Sequence, residues 1–387
     1  MSEIKNIIYI TYQSFPANTA NSLQTISNIK YFIKNGIDVN LVFPLREKKS
    51  SADLNLINKH YGENLKFKVT GSQHNYPFGR INSLNRFLYL ISHFFWSKKI
   101  VKTFLKTDDY RTAFFTRSEW IFYFLSKKNC NVIMECHQYS KIRKWVINKS
   151  IRHPNSKIIF LNENLLTDSK IPKAHNYKLK TIHNGVDENL FTRNIKKNKN
   201  EIVFAGNLTR FNKERNLEFI IDSFKNTELS DKYTFKIVGG DNEESQELEK
   251  YIIKLNLNSV VKVIKRQSRE NTIRIMESAE IGLLVNSSEN EHSFRYTSPL
   301  KYFEYLYSQL KILAIDFPAH HQLPFANNIQ MFKEGDSDGF QKSLDNLILT
   351  NPISVDDLNV ITLSHRAKEI YNFFNNARPE GFEPPTL

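Results

Sequence analysis

Short β-branched runs alternate with longer stretches of helical periodicity through the first half of the chain. Residues 7–10 (IIYI) are the first such run, apolar residues then recur at helical spacing from Leu23 to Ile33, and residues 38–43 form the next run. Buried parallel strands have this character, and a strand–helix–strand unit joins parallel neighbours through a right-handed crossover. Further strands are predicted at 65–69, 112–116, 132–134 and 158–161, which indicates a parallel α/β sheet.

The same alternation restarts after a polar segment at residues 194–200 (NIKKNKN). Strands are predicted at 202–206, 235–240, 260–264, 281–285 and 311–315, with helices between them. Two successive α/β halves predict two Rossmann-like domains that face each other across a cleft. The expected boundaries are an N-terminal domain over 1–193, a linker over 194–200, a C-terminal domain over 201–363, a helix over 364–376 that crosses back to the first domain, and a disordered tail over 377–387.

Composition supports two cores in a reducing compartment. The chain has 387 residues, 40% of them apolar, which is enough to fill two domains of ordinary size. Its two cysteines, Cys130 and Cys136, exclude a disulfide framework. The N-terminus shows no signal-peptide pattern and no apolar run is long enough to span a bilayer, so we expect a cytoplasmic protein.

The formal net charge of +14 either reflects a lysine-rich composition or favours contact with anions. No nucleic-acid-binding signature accompanies this charge, so nucleic acid is not an expected partner. Residues 86–105 combine an aromatic helical face with Lys98, Lys99 and Lys102. This pattern is typical of a helix lying on an anionic membrane, and equally of a core helix with a basic solvated side. An anionic membrane surface, at the inner face of the cytoplasmic membrane, is therefore one expected partner.

A loop between a strand and a helix in the second half carries candidate anion-binding residues. Gly206 ends the strand and lets a ligand approach the backbone closely. Arg210 and Lys213 follow as cations near a helix N-terminus, where they oppose the helix dipole. Both cations and the dipole could face one anion such as a diphosphate. The alternative is a solvated loop with ordinary basic residues.

A second candidate is the start of the helix predicted over residues 299–308. Ser298 is a suitable N-cap and Pro299 suits the first turn, whose free N–H groups could hold phosphate oxygens. Glu304, further along this helix, could accept two hydrogen bonds from vicinal hydroxyls such as those of a ribose. The alternative for Glu304 is an exposed helix glutamate.

Two further candidates lie in the first half. His137 follows the strand at 132–134 and could hydrogen-bond a sugar hydroxyl or shuttle a proton, although a lone histidine is often structural. The loop at residues 14–22 has small polar residues, including Asn18 and Thr19, that let the backbone face a ligand or simply cap the next helix.

Other catalytic signatures are missing from the sequence. We find no metal-ligand spacing, no P-loop and no G-x-G-x-x-G fingerprint. These absences argue against a kinase, a P-loop ATPase or a standard dinucleotide enzyme, and no metal site is predicted.

The second half contains a series of short motifs in a fixed order: HNGVD at 183–187, the 206–213 loop, KIVGG at 236–240, AEIGLLV at 279–285, SPLKYFEY at 298–305 and AIDFP at 314–318. In these motifs and their spacing the second half resembles the GT-B-fold glycosyltransferases of family 4. The first half matches more loosely, through loops at 16–22, 116–118 and 135–137 that are similar to those of capsule and surface-polysaccharide members.

The resemblance implies a retaining hexosyltransferase of surface polysaccharide biosynthesis that needs no cofactor and no obligatory metal. Its donor would be a nucleotide sugar, and its acceptor a glycan or lipid-linked glycan. The implied contacts to the donor diphosphate are Gly206, Arg210, Lys213, Thr297, Ser298 and Leu300. Glu304 would bind the ribose, Asn18, Thr19, His137 and Tyr296 would lie on the sugar and acceptor side, and His137, Lys213 and Glu304 would be catalytic.

The sequence also departs from the family pattern. Tyr296 stands where the family often has a glutamate, eight positions before Glu304, and Lys213-Glu214 stands in place of the usual lysine-glycine pair. Two alternatives therefore stay open: a non-catalytic nucleotide-sugar-binding partner, and a GT-B-fold nucleotide-sugar epimerase.

Overall fold

The computed structural model describes residues 3–75, 83–105, 111–192, 195–210 and 213–375. The chain divides into two compact units. The first unit combines residues 1–182 with the segment from Arg366 onward, and the second unit spans His183–His365. The tail at 377–387 lies outside the described residues.

The first unit is built on a parallel sheet. Its elements are β1 Asn6–Ile10, α1 Ala20–Lys34, β2 Asp38–Leu45, α2 Leu54–Tyr61, β3 Lys68–Gln73, α3 Ser83–Phe104, β4 Thr112–Thr116, α4 Glu119–Ser126, β5 Val132–Cys136, α5 Lys141–Ser150, β6 Ser156–Phe160, α6 Glu163–Ser169 and β7 Leu179–Thr181. The strand order is β3-β2-β1-β4-β5-β6-β7, and every pairing is parallel. The order reverses between β1 and β4, the place where open α/β sheets bind ligands.

The second unit repeats this design. Its elements are β8 Glu201–Ala205, β9 Thr209–Arg210, β10 Lys213–Glu214, α7 Leu217–Ser223, α8 Thr227–Lys232, β11 Thr234–Val238, α9 Asn242–Lys254, β12 Val261–Ile264, α10 Arg269–Ser278, β13 Ile281–Leu284, α11 Leu300–Tyr307, β14 Lys311–Ile315, β15 Ile329–Phe332 and α12 Ser337–Ile348. The main sheet has the order β12-β11-β8-β13-β14-β15, all parallel, so its switch point lies between β8 and β13. Both halves are therefore Rossmann-like, as the alternation of strands and helices predicted.

Strand β8 shows how the sequence builds two helical layers on one sheet. Ile202 and Phe204 join the apolar cluster on one face, whereas Val203 and Ala205 join the cluster on the other. Successive side chains of a strand point to opposite faces, so an uninterrupted apolar run is buried on both sides.

The predicted linker is anchored in the second unit instead of running free. Lys197 donates to the carbonyls of Glu277 and Ser308, at 2.8 and 2.5 Å, and the Asn198 amide donates to the Ser278 carbonyl at 2.7 Å. Residues before it also pack there, because the Val186 amide donates to the Ile361 carbonyl at 3.0 Å. The polarity of residues 195–200 thus serves backbone contacts, and the first unit ends at residue 182 instead of 193.

The last helix, α13 (Leu363–Asn375), is part of the first unit from Arg366 onward. Lys157 on β6 donates to the carbonyls of Phe373 and Phe374 at the end of this helix, at 2.6 and 3.2 Å. A cation at the C-terminus of a helix is favoured by the helix dipole and satisfies carbonyls that lack a helical partner.

Candidate functional site

The switch point of the second unit brings glycine backbones together at the carboxyl ends of β8 and β11. A Cβ atom added to Gly239 would lie 1.8 Å from the carbonyl oxygen of Gly206, so position 239 can hold only glycine. Such close approach of two backbones leaves the loop after β8 without side-chain cover at Gly206. This edge of the sheet is where a ligand of an open α/β domain is expected.

Arg215 lies against this loop and was missed by the sequence reasoning. Its Nη1 donates to the Asn207 carbonyl at 3.0 Å and its Nη2 donates to the Val285 carbonyl at 3.1 Å. The guanidinium lies 4.9 Å from the centre of the Phe204 ring. Burial, followed by repulsion from Arg210, lowers the pKa of Arg215 to about 10, so the side chain stays cationic at neutral pH.

The Nε atom of Arg215 is buried and has no hydrogen-bond partner among the described residues. A buried guanidinium normally satisfies its donors, so an orphaned one is a reason to look for a bound anion. One signal in the sequence could have found this residue: Arg215 is two positions closer than Lys213 to the first residue of α7.

Lys213 occupies a different environment from the one predicted. Its side chain is 59% exposed and forms an ion pair with Glu289 at 2.7 Å, and this partner raises the pKa of Lys213. The anion position at the N-terminus of α7 is filled by Glu214, whose carboxylate accepts from the amides of Asn216 and Leu217 at 2.6 and 2.5 Å. The structure therefore does not place Lys213 beside a free helix N-terminus, as the sequence predicted.

Two other arginines surround the loop after β8. Arg266, which follows β12, donates to the side-chain carbonyl of Asn207 at 3.1 Å. Arg210 is half-buried, and burial lowers its pKa. Its charge also helps, after burial, to lower the pKa of His292 to about 4, which keeps that imidazole neutral. Arg210, Arg215 and Arg266 form what we call the arginine cluster; Phe211 and Asn212 of the predicted loop lie outside the described residues.

Glu304 is buried on α11, with 3% of the residue exposed, in contrast to an ordinary helix glutamate. Burial opposes its ionisation, but Lys301 and Arg269 outweigh burial and lower the pKa of Glu304. Lys301 Nζ contacts one carboxylate oxygen at 2.6 Å and Arg269 Nη2 contacts the other at 3.0 Å. The carboxylate is therefore ionised and held in one orientation, with lone pairs left for further hydrogen bonds.

Helix α11 is locked onto the sheet by the residue next to Glu304. The Tyr305 hydroxyl accepts a hydrogen bond from the Ala205 amide at 2.9 Å. Its ring leaves no room for a side chain at Gly282, where an added Cβ atom would lie 2.6 Å away. Tyr305 thus fixes the helix that carries Glu304 relative to β8 and β13.

The segment before α11 is buried but caps the helix differently from the prediction. The helix begins at Leu300 with Pro299 as its N-cap, and no side-chain hydrogen bond closes this end. The Ser298 hydroxyl instead accepts from the Asn184 amide at 3.1 Å, and the Asn184 side chain donates back to the Ser298 carbonyl at 2.5 Å. Ser298 therefore ties the 183–187 segment to the start of α11.

Thr297 and Tyr296 are also buried beside this helix. Tyr296 ends the short π-helix His292–Tyr296, and its hydroxyl donates at 3.4 Å to Glu291, the residue before that helix. The diphosphate roles of Thr297, Ser298 and Leu300 and the sugar-side role of Tyr296 remain predictions.

His137 lies in a polar cluster of the first unit, where Arg117 engages its Nδ1. Arg117 donates to Nδ1 at 2.7 Å, and Nε2 lies 3.2 Å from a carboxylate oxygen of Glu135. Burial and then Arg117 lower the pKa of His137 to about 3, so the ring is neutral at physiological pH. In this arrangement the imidazole orients Arg117, and its Nε2, although close to Glu135, makes no hydrogen bond among the described residues. The sugar-side and catalytic roles of His137 stay predictions.

Glu135 is the centre of this polar cluster. Burial opposes its ionisation, but Arg366 and then His137 outweigh burial and lower its pKa. Arg366 donates to the Glu135 carboxylate and, at 2.8 Å, to the side chain of Asn28. Helix α13 thereby supplies the counter-charge for β5.

The predicted loop residues of the first unit act in helix capping. Thr19 accepts from the Ser22 amide at 3.1 Å while Ser22 accepts from the Thr19 amide at 3.2 Å, which is a capping box for α1. Asn18 is exposed beside it. Ligand contacts by Asn18 and Thr19 stay predictions.

The described residues contain neither a cluster of metal-ligand side chains nor a helix suited to cross a membrane. No group of three or more His, Cys, Asp or Glu side chains in that part of the chain is arranged to hold a metal ion. No described helix combines the length and the apolar character that crossing a membrane requires.

Comparisons with known proteins agree with this geometry. Residues 186–322 match the family model described as glycosyl transferases group 1. This stretch contains the arginine cluster, Glu304 and the switch point of the second unit. No curated protein sequence matches the chain.

Solved structures match nearly the whole chain at low identity. HepE of Anabaena, in complex with UDP and glucose, is 14% identical with a TM-score of 0.56, and 95% of each chain is covered. An E. coli trehalose-6-phosphate protein bound with UDP-2-fluoro glucose is 9% identical with a TM-score of 0.64, covering 96% of this chain and 99% of that one. WaaG, a glycosyltransferase involved in lipopolysaccharide biosynthesis, is 12% identical with a TM-score of 0.54, and 95% of each chain is covered.

At these identities the solved structures establish the fold, whereas the family match establishes the type of enzyme. The two parallel sheets, with switch points in equivalent places, agree with the fold of these neighbours. The chain is therefore a glycosyltransferase with a GT-B fold, and its second unit carries the match to the glycosyl transferases group 1 model.

Proposed function

We propose that this enzyme transfers a hexose, with retention of anomeric configuration, from a nucleoside-diphosphate donor to a glycan or lipid-linked glycan in surface polysaccharide synthesis. The observation that carries the proposal is the arginine cluster beside Gly206, on the same sheet edge as the helix that holds Glu304. Three cations next to an uncovered backbone suit a diphosphate, and an oriented carboxylate suits a ribose.

The chemistry follows from where charge develops. As the bond to the sugar breaks, the leaving nucleoside diphosphate gains negative charge. Cations that are already in position stabilise this charge more in the transition state than in the ground state, which accelerates the transfer. Arg215 suits this task because its contacts with the Asn207 and Val285 carbonyls hold the guanidinium in place.

The donor would then be oriented by groups at two points. The diphosphate would contact the arginine cluster and the open N-terminus of α11, and the ribose hydroxyls would donate to Glu304. Because the arginines can supply the counter-charge, the proposal includes no metal ion. Lys213 would have a secondary role, since Glu289 already neutralises it.

The neighbours support a uridine donor and a surface-glycan product. HepE is in complex with UDP and glucose, and the E. coli protein is bound with UDP-2-fluoro glucose. WaaG is involved in lipopolysaccharide biosynthesis. UDP-hexoses are therefore the first donors to test, with GDP- and ADP-hexoses as comparisons.

A thermal-shift panel tests the donor, and turnover tests the reaction. A ligand present at a hundredfold its dissociation constant stabilises a folded protein by about 2.7 kcal/mol, which is readily measured. We expect one nucleotide class to raise the melting temperature, and the same sugar donor to release nucleoside diphosphate when a glycan acceptor is added. An NMR spectrum of the product should show the anomeric configuration of the donor. Stabilisation by no nucleotide sugar, or an inverted product, would contradict the proposal.

A further inference from the structure

A continuous stripe of aromatic rings crosses three neighbouring helices of the first unit. Phe95 and Phe94 on α3 have ring centres 5.4 Å apart, and Phe94 lies 4.8 Å from Trp120 on α4. Trp120 lies 6.2 Å from Tyr123, which lies 5.5 Å from Trp145 on α5. These five residues are the aromatic stripe.

Both ends of the aromatic stripe reach the surface. Phe95 is 47% exposed and Trp145 is 48% exposed, whereas the rings between them are half-buried. Large exposed aromatic side chains that are connected to one another mark an interaction surface more often than isolated ones do. The aromatic stripe therefore indicates a surface that binds an apolar partner.

Lysines surround each exposed end at helical spacing. On α3 Lys98, Lys99 and Lys102 follow Phe95 at i+3, i+4 and i+7, and all three are exposed. On α5 exposed Lys141 and Lys149 lie one turn before and one turn after Trp145. Residues at these spacings share one face of a helix, so each exposed ring projects among lysines.

The charge of this surface has one sign. Residues 83–105 and 119–150 contain ten Lys and Arg residues but only two acidic residues, Glu119 and Glu135. Both acids are buried, Glu119 paired with Arg143 at 2.8 Å and Glu135 paired with Arg366. The exposed charge of these segments is therefore entirely positive.

We propose that the aromatic stripe and its lysines dock the enzyme on an anionic phospholipid membrane. Aromatic rings partition to the boundary between headgroups and acyl chains, and lysines reach the lipid phosphates while their methylene stems stay apolar. Charge complementarity selects anionic lipid, and the paired exposed rings favour a lipid surface over a purely electrostatic partner. This surface is formed by the first unit alone and does not depend on the donor site.

The structure also explains why the sequence left α3 ambiguous. Trp96, Ile100 and Val101 on α3 are buried in the core, while Phe95 and the lysines point outward. The helix thus has an inner apolar face and an outer aromatic and basic face, and the outer face continues onto α4 and α5, which no single-helix pattern reveals.

Vesicle flotation tests the proposal with two surface variants. Vesicles of phosphatidylglycerol mixed with phosphatidylcholine are compared with vesicles of phosphatidylcholine alone. Replacing Lys98, Lys99 and Lys102 by Gln should weaken binding to anionic vesicles on the order of a hundredfold, since each lysine contributes about fivefold. The double variant Phe95→Ala, Trp145→Ala should weaken binding by about tenfold or more.

Helix α9 of the second unit offers a matched control. It carries exposed Ile253 between exposed Lys250 and Lys254, so the variant Lys250→Gln, Ile253→Ala, Lys254→Gln removes similar groups elsewhere. This variant should float like the unmodified protein. Thermal melting of every variant, with and without a nucleotide sugar, checks that the fold and the donor site are intact.

The expected result is binding to anionic vesicles that salt weakens and that only the α3 and α5 variants reduce. Binding to neither vesicle type would overturn the proposal, and so would equal losses for the α9 control. A dimer that Trp145→Ala dissociates would also overturn it, because the stripe would then be an interface between copies. A nucleotide-sugar thermal shift that persists in any of these cases leaves the proposed donor reaction standing.

Discussion

Arg366 of the first unit and Arg215 of the second unit are held in opposite ways. In the first unit Arg366 faces the Glu135 carboxylate, so positive and negative charge are balanced inside the fold. In the second unit the partly buried Arg215 donates to two backbone carbonyls. Carbonyl dipoles hold an arginine in place without cancelling its charge, so Arg215 can still attract an anion. The charge of Arg366 is instead neutralised by Glu135, where it stabilises the fold.

Replacing Arg366, the counter-charge of Glu135 in the first unit, should have the largest effect on stability. Arg366→Met leaves the Glu135 carboxylate buried without its main counter-charge, and we expect a loss of about 3–5 kcal/mol in the free energy of unfolding, measured by urea denaturation. Glu369→Gln, on the same helix, breaks an ion pair with Lys180 in which both side chains are about one third exposed. This control should cost less than about 1 kcal/mol. Equal effects would show that Glu135 does not depend on Arg366.

Acid should destabilise the first unit, in which buried carboxylates are paired with arginines, before it affects the arginine cluster. Burial opposes the ionisation of Glu119, but Arg143 outweighs burial and lowers the pKa of Glu119 to about 2. A carboxyl whose pKa is lowered by folding stabilises the protein above the unfolded pKa, and that contribution is lost as pH falls through the folded value.

The unfolding free energy should therefore fall between about pH 4.5 and about pH 2, and Glu119→Gln should flatten the curve by about 2–3 kcal/mol. Denaturation series at several pH values measure this. A variant whose curve parallels that of the unmodified protein would show that Arg143 and Glu119 are not coupled.

Arg215→Ala tests whether this arginine, which is held by backbone carbonyls, contributes its charge to nucleotide-sugar binding. A charge-assisted contact contributes about 1.5–3 kcal/mol, so the dissociation constant for the nucleotide sugar should rise about tenfold to a hundredfold, measured by calorimetry. Lys213→Ala, the neighbouring exposed cation, should change it by less than about threefold. The reverse order would restore the sequence-based choice of Lys213.

Glu304→Gln probes the smallest of these effects. Donors with and without the ribose 2′-hydroxyl should bind the unmodified enzyme with dissociation constants that differ by about fivefold, because one hydrogen bond contributes about 1 kcal/mol. The variant should discriminate less between them, since an amide offers one acceptor oxygen instead of two. If the variant discriminated between the two donors as strongly as the unmodified enzyme, Glu304 would not bind the ribose.

Most of the architecture could be predicted because it is local. Apolar runs and helical periodicity report burial on both faces of a sheet, and each parallel sheet follows from them. The linker prediction was wrong because polarity alone does not distinguish a solvated segment from one whose Lys197 and Asn198 bond to the backbone of another element.

The candidate site was predicted less completely, for a physical reason. Glu304 was selected through its place in the SPLKYFEY segment of the family resemblance, whereas its burial was not evident from the sequence, in which an exposed helix glutamate was the alternative. Arg215 is nearer to the start of α7 than Arg210 and Lys213, but only the fold shows that its guanidinium contacts the loop backbone while Lys213 is exposed. Glu214 caps α7 and leaves Lys213 outside.

The way the chain enters and leaves the second unit has a consequence for how such enzymes can be rearranged. The Val186 amide donates to the Ile361 carbonyl at 3.0 Å and the Leu363 amide donates to the Val186 carbonyl at 2.8 Å, so the incoming and outgoing segments are held together within that unit. The second unit is thus an insertion within the first unit, whose core is completed only by Arg366, which follows the second unit in the sequence. A replacement second unit grafted between residues 182 and 366 would keep the core of the first unit whole, whereas a deletion of everything after residue 182 would leave Glu135 without its arginine.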